Sequence, residues 1–453
     1  MRNRTKNGLF LLANFIFCYF TLEKEWSNSE VSLQLIFSFF IHSLAFRISS
    51  NLLKSVKIPY ILLLSFSNII SLSIAPLLVD FSEFQLGEFN PFILDVYNFG
   101  FILFYLIHFF IVYNKINKPI ELKKHSINIG RLQFIVFVIY IIQIFAEIEI
   151  NGVEEMIQFY TIGVFMYGYV NKVNNLLQNI ILIAVILFQT IVVITYGLIY
   201  PVFYLVTFIV LTMYIFGALN RRVIILGTFF LSTMVTFSIL FSPVKMQYRS
   251  LDTSGYSLTQ KVSVITGLIT DNRTENQKLD NNEKEGPMWR ITYPLSAFSL
   301  VYEKTPKQIP FWEGESYTNI FYKFIPRIIW PGKPKEDMGQ RFGHRYSILA
   351  DDNLTTSMNT PILAEAYMNY GFVFVYITFI FLAILMAYLF FDNNLKTNNK
   401  HGVESLLNDL NICIVAVIFL QWESNLTMML GKIIILLVTT KLLTWLYFRK
   451  QLI

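Results

Sequence analysis

The chain has 453 residues, of which 55% are hydrophobic, 17% aromatic and only 15% charged. Its mean hydropathy of +0.52 is too high for a soluble domain, and the net charge of +6 is spread over short polar breaks instead of forming a basic face for nucleic acid. Apolar runs recur at helical length, which excludes a transmembrane barrel and predicts an all-α, polytopic helical membrane protein.

In chain order, apolar segments fall near 8–22, 31–47, 58–79, 92–113, 132–146, 156–171, 176–195, 199–218, 223–241, 366–391, 408–427 and 431–448. They predict about 12 transmembrane helices. The basic start, with Arg2, Arg4 and Lys6, leads into a first helix with no small-residue cleavage site after it, so that helix is read as retained. The alternate breaks that carry Arg47, Lys54, Lys57, Lys115 to Arg131, Lys172, Arg221, Arg222, Lys396, Lys400, Arg449 and Lys450 are placed inside by their positive charge. The intervening short breaks are acidic, with Glu23, Glu25, Glu30, Asp80, Glu83, Glu88, Glu147, Glu149, Glu154 and Glu155. Both termini are then cytoplasmic, and one large extracytoplasmic loop, 242–360, separates helices 1–9 (residues 1–241) from helices 10–12 (residues 361–453).

Within this loop, Asp271 to Glu285 is a polar linker with little to bury, and Arg273 there is read as a solvated surface residue. Thr259 to Thr270, Met288 to Tyr302 and Tyr317 to Trp330 mix aromatics with bases and are predicted as helices at a membrane interface. Cys18 and Cys413 lie in apolar segments, so the loop has no disulfide framework.

The loop concentrates groups suited to phosphate and sugar. Arg249, Arg290, Arg327, Lys333, Arg341 and Arg345 supply cations, and a cluster of guanidiniums can hold a diphosphate without a metal or any other cofactor. Trp330, Tyr317 and Tyr322 supply aromatic faces. Prolines around Arg327 and Lys333 restrict the backbone that carries them. His344 reads either as a surface histidine or as a base. Glu365 complements a helix dipole or acts as a base or cation anchor. Asp351-Asp352 reads as a turn in preference to a metal pair. Asp95, His42 and His108 are ionisable groups within spans, on different segments and without metal-ligand spacing. The sequence has no Walker loop, GxGxxG or zinc signature, which disfavours ATP-driven transport and nucleotide-sugar transfer.

The run Phe324-Ile325-Pro326-Arg327-Ile328-Ile329-Trp330-Pro331-Gly332-Lys333-Pro334, then Gly339, then Ala364-Glu365-Ala366-Tyr367-Met368-Asn369-Tyr370-Gly371, resembles the Wzy-type polymerases of bacterial O-antigen and capsule repeat units. The arrangement of many spans with one late external loop is similar too. The chain departs from many members at Thr195-Tyr196-Gly197, where they carry an arginine.

The resemblance implies glycosyl transfer at the outer face of the bacterial cytoplasmic membrane, between two polyprenyl-diphosphate-linked oligosaccharides serving as donor and acceptor. A chain-length regulator protein is a further partner it implies. Arg290, Arg327, Lys333, Arg341 and Arg345 would stabilise the departing diphosphate, and Glu365 and His344 would serve the acceptor hydroxyl. An O-antigen ligase, a lipid-linked oligosaccharide flippase and a polyprenyl-phosphate-sugar glycosyltransferase using Glu23, Glu25 or Glu30 stay open as alternatives.

Overall fold

The computed structural model describes residues 2–24, 29–52, 60–78, 86, 89–115, 127–145, 153–195, 200–218, 256–271, 287–318, 320, 330, 332, 337–354, 356–396, 402–421 and 424–449. Among them there is no strand, and the regular structure is helical. The helices are α1 (Arg2–Glu23), α2 (Ser29–Leu52), α3 (Tyr60–Ile69), α4 (Ala75–Leu78), α5 (Phe92–Lys115), α6 (Ile129–Phe145), α7 (Val153–Val170) and α8 (Leu176–Thr195). After these come α9 (Tyr200–Ile215), α10 (Leu258–Asp271), α11 (Pro287–Lys304), α12 (Met338–Arg345), α13 (Ile362–Lys396), α14 (Gly402–Leu420) and α15 (Leu426–Phe448). A single π-helical turn, Ile70–Ile74, joins α3 to α4.

Seven helices among the described residues are long and apolar enough to cross a membrane: Glu30–Asn51, Ile61–Leu78, Phe92–Val112, Leu176–Val193, Ile362–Leu389, Gly402–Leu420 and Leu426–Phe448. Their exposed faces carry large apolar side chains such as Phe110, Phe381 and Trp445, as lipid-facing surfaces do. Phe10–Glu23, Ile129–Phe145 and Pro201–Ile215 are apolar but shorter. Helix α7, which covers the predicted span 156–171, falls outside both groups and is buried along most of its length. The predicted span 223–241 lies outside the described residues.

Two boundaries differ from the sequence reading. The apolar run 408–427 is divided: α14 ends at Leu420, and α15 begins at Leu426 after Asn425, whose side-chain oxygen accepts the Met428 N–H at 2.7 Å as an N-cap. The segment Met288–Tyr302 forms a helix, α11, that runs slightly further, Pro287–Lys304. Residues 292–301 are all buried, including Tyr293, Leu295, Phe298 and Val301, so their aromatic and apolar side chains pack on both sides.

The chain clusters into two compact units. The first contains residues 1–125, 150–153 and 288–438, and the second 126–149, 154–287 and 439–453. In the first unit α13 packs along α5, closely enough that a Cβ on Gly100 would sit 2.0 Å from the Phe379 ring. Tyr97, Phe298 and Tyr367 fill the space where α5, α11 and α13 meet. Helix α13 is broken at Tyr370 and Gly371; Gly371 has φ 73°, a conformation that glycine adopts without a Cβ penalty.

In the second unit, Asn175 and Gln178 close a reciprocal capping box at the start of α8. Each side-chain oxygen accepts the other residue's backbone N–H, at 2.9 and 2.8 Å. Gln178 also donates to Gln133, which donates to Asn174, so these three side-chain amides are joined in one chain of hydrogen bonds.

Candidate functional site

The first unit brings a short loop, 312–317, between the two arginines of α12 and the first turns of α13. Helix α12 is amphipathic at i, i+4 spacing. Met338 and Phe342 point into the core, with Phe342 against the Tyr346 ring at 5.1 Å, while Arg341 and Arg345 share the other face. The helix is drawn tight to the following strand-like stretch at Gly339, where an added Cβ would lie 2.5 Å from the Met358 carbonyl oxygen. Tyr346 is anchored through its hydroxyl to Thr305 at 2.7 Å and through its carbonyl to Lys304 at 2.7 Å. Burial pushes the Tyr346 phenol up to about 12, with the Thr305 bond and the Arg345 charge pulling the other way, so it stays neutral at physiological pH.

Arg341 and Arg345 converge on one carboxylate. Arg341 donates from Nη2 to Glu315 Oε1, and Arg345 donates from Nη1 to Glu315 Oε2 at 3.4 Å. Both guanidiniums also lie over the Trp312 ring, at 5.4 and 4.6 Å from its centroid. The indole is buried, and among the described residues its N–H has no hydrogen-bond partner; His344 Nε2, on the same short helix, is likewise buried and unpaired. The result is a pair of cations held over an aromatic ring. Such a set suits an anion with several oxygens.

Asn369 holds the loop in this position. Its side-chain oxygen accepts the Gly314 N–H at 2.9 Å, and its amide nitrogen donates to Ser316 Oγ at 2.8 Å and to the Glu365 carbonyl at 2.7 Å. The Trp312 backbone N–H donates to the Met368 carbonyl at 2.9 Å. Gly314 has φ 88°, and a Cβ there would meet the Tyr370 hydroxyl at 2.4 Å, so this turn accepts only glycine. We predict that Asn369→Ala, which removes a fully buried side chain and strips the loop of these bonds, destabilises the protein by roughly 2–4 kcal/mol. A thermal unfolding midpoint in detergent equal to that of the wild type would count against this.

Glu365 is fully buried in the first turn of α13. Its Oε2 accepts the backbone N–H of Leu426, the first residue of α15, at 2.7 Å. A carboxylate at a helix N-terminus meets both an orphan N–H and the positive end of the helix dipole. The Tyr317 hydroxyl is nearby: burial, and then the charge of Glu365, raise the Tyr317 phenol above its ordinary range, with Asn369 opposing. Tyr317 is therefore neutral, and its ring packs on Phe374 at 5.7 Å.

Of the residues expected from the sequence, the structure brings Arg341, Arg345, His344, Tyr317 and Glu365 into this region of the first unit. Trp330 is described and exposed. Arg290 lies in the first turn of α11, and its side chain is outside the described set, as are Arg249, Tyr322, Arg327 and Lys333 altogether. Asp351 and Asp352 are exposed in a turn. His42 and His108 are buried on α2 and α5; His42 Nδ1 meets the Tyr105 hydroxyl at 3.0 Å, and Asn68 donates to that same hydroxyl at 3.2 Å. Sequence reasoning missed Trp312 as an anchor for the arginines, Glu315 as their partner and Asn369 as the clamp.

A family model described as a domain of unknown function, DUF8712, matches residues 96–394. The chain belongs to this family. The DUF8712 region contains Trp312, Glu315, Arg341, Arg345, Glu365 and Asn369, so the whole constellation lies within the part of the chain that defines the family. No curated protein and no solved structure matches the chain.

Proposed function

We propose that this protein polymerises polyprenyl-diphosphate-linked oligosaccharide repeat units into a surface polysaccharide, at the outer face of the bacterial cytoplasmic membrane. The observation that carries the reading is the convergence of Arg341 and Arg345 on the Glu315 carboxylate above Trp312. A carboxylate bridging two guanidiniums stands in for a phosphate oxygen pair. The bridge is one-third to one-half exposed, at 31% for Arg341, 33% for Arg345 and 48% for Glu315. Ion pairs so exposed contribute only about 0–1 kcal/mol to stability, which leaves substrate binding as the better reason for two arginines at this spacing.

In the proposed transfer, the bond between the anomeric carbon of the growing chain and the carrier diphosphate breaks as the acceptor hydroxyl oxygen bonds to that carbon. The diphosphate leaves with the bonding electrons, and Arg341 and Arg345 offset its charge as it develops. In this reading His344, with an unpaired ring nitrogen on the same helix, would take the acceptor's proton. Arg290, Arg327 and Lys333 belong to the same reading as additional diphosphate ligands. The topology that goes with it has about twelve spans, both termini cytoplasmic and residues 242–360 outside. The substrate is already in the bilayer, so neither a nucleotide site nor a metal enters the scheme.

The test is a size analysis of surface and lipid-linked glycans from cells that lack the protein. Single repeat units, on the carrier or on their final acceptor, are the expected result. Full-length polymer stranded on the carrier would identify a ligase, and repeat units confined to the cytoplasmic side a flippase. An unchanged profile would end the glycan reading. A companion variant, Arg327→Ala, is expected to abolish polymer while the protein still inserts in the membrane; normal polymer from a well-expressed variant would remove Arg327 from the site.

A further inference from the structure

A second polar cluster lies where α2 and α5 begin, within the first unit and apart from the arginine site. Gln34 donates from its side-chain nitrogen to Asp95 Oδ2 at 2.8 Å, and Asn98 donates from its side-chain nitrogen to the Gln34 backbone carbonyl at 3.3 Å. Both donations fix which way the amides point. Turned over, Gln34 would bring its carbonyl oxygen against a carboxylate, and Asn98 would bring its own against a carbonyl. The oxygens left over, Gln34 Oε1 and Asn98 Oδ1, are buried and have no hydrogen-bond partner among the described residues. Asn98 itself is fully buried.

Asp95 and Asn98 are separated by one turn of α5, so a carboxylate and two unpaired carbonyl oxygens are gathered from two helices whose apolar segments Glu30–Asn51 and Phe92–Val112 are long enough to span a membrane. The charge of Glu30, one turn before Gln34 on α2, also acts on Asp95. Every one of these groups lacks positive charge. Among the described residues the Asp95 carboxylate is hydrogen-bonded only by the neutral Gln34 amide, beside buried carbonyl oxygens without a donor, an arrangement that suits a cation.

We infer that Asp95, Gln34 and Asn98 form an intramembrane site for a small monovalent cation of the sodium class. All three would contribute hard oxygen ligands, and the one carboxylate among them balances one positive charge. The ion joins α2 to α5, so binding stabilises their packing. This site is independent of the glycan-transfer reading and stands or falls separately.

The test follows the unfolding midpoint of the purified full-length protein in detergent at constant ionic strength, with sodium chloride replacing choline chloride. The midpoint is expected to rise saturably with sodium. Asp95→Asn, which keeps the shape and removes the charge, should abolish the rise, and Asn98→Ala should weaken half-saturation at least fivefold. Equal midpoints for the wild type in sodium and choline would overturn the site without recourse to any variant. So would an undiminished sodium response in Asp95→Asn, or a response confined to calcium or magnesium.

Discussion

Polymer formation is expected to fall at least about 10³-fold when Arg341 and Arg345 are both replaced by glutamine, with little change in the amount of folded protein. Removing one preorganised charge-stabilising donor typically lowers turnover by roughly 10²–10³-fold, and in the proposed transfer these two would act on the same departing group. Their structural contribution is small by comparison. The pair they make with Glu315 is partly solvated, and glutamine keeps the aliphatic stem of each side chain against the surface that includes Trp312.

Glu315→Gln is the informative contrast. It removes the carboxylate that now satisfies both guanidiniums, so a diphosphate no longer has to displace a competing anion, and activity should be retained or raised. The measurement is the length distribution of lipid-linked glycan made by membranes supplied with the repeat-unit substrate. Normal polymer from the double arginine variant would dismiss α12 as the diphosphate site. Loss of polymer in Glu315→Gln, with folding intact, would mean that Glu315 itself meets the substrate.

The sequence reveals the helices well because lipid-facing and core-facing positions are both apolar, and runs of such residues have few other uses. The range 176–195 was read from hydropathy alone and coincides with α8, Leu176–Thr195. Thr259–Thr270 lies within α10. The divided run near 421–425 was harder, since Asn425 is a single polar residue between two apolar stretches and its capping role is visible only when its bond to Met428 is known.

For the site, Arg341 and Arg345 were legible as cations of the loop, but not as one face of a short helix, because the run around them is polar and carries few apolar residues. Their partner was not: nothing in the neighbourhood of Glu315 distinguishes it from any other loop carboxylate, and it meets them across 26 and 30 residues of chain. Nor could pattern show that Asn369 clamps Gly314 and Ser316 more than 50 residues away. Gln34 and Asn98 drew no attention because neutral amides scarcely alter hydropathy, and their significance lies in which of their oxygens lacks a donor.

Glu365 shows how a buried carboxylate can be assigned by comparing two substitutions. Its Oε2 accepts the first N–H of α15, whose next residue, Thr427, donates to the Ser316 carbonyl at 3.4 Å; through these bonds the first turn of α15, the start of α13 and the 312–317 loop are fastened together. Glu365→Ala removes the acceptor and leaves a buried N–H at a helix end, so it should cost about 3 kcal/mol and reduce the folded yield. Glu365→Gln leaves a carbonyl oxygen in place to accept the same N–H, although without the charge. If Glu365 is a positioning residue, the glutamine variant should fold within about 1 kcal/mol of the wild type and keep polymer-forming activity within about tenfold. A proton acceptor behaves differently, because an amide cannot take up the acceptor's proton, and general-base loss lowers turnover by roughly 10²–10⁴-fold whatever the stability. The paired readout of unfolding midpoint and glycan length separates the two roles. A folded Glu365→Gln protein that makes no polymer would transfer Glu365 from the scaffold to the chemistry, and the proton assigned to His344 would have to be assigned again.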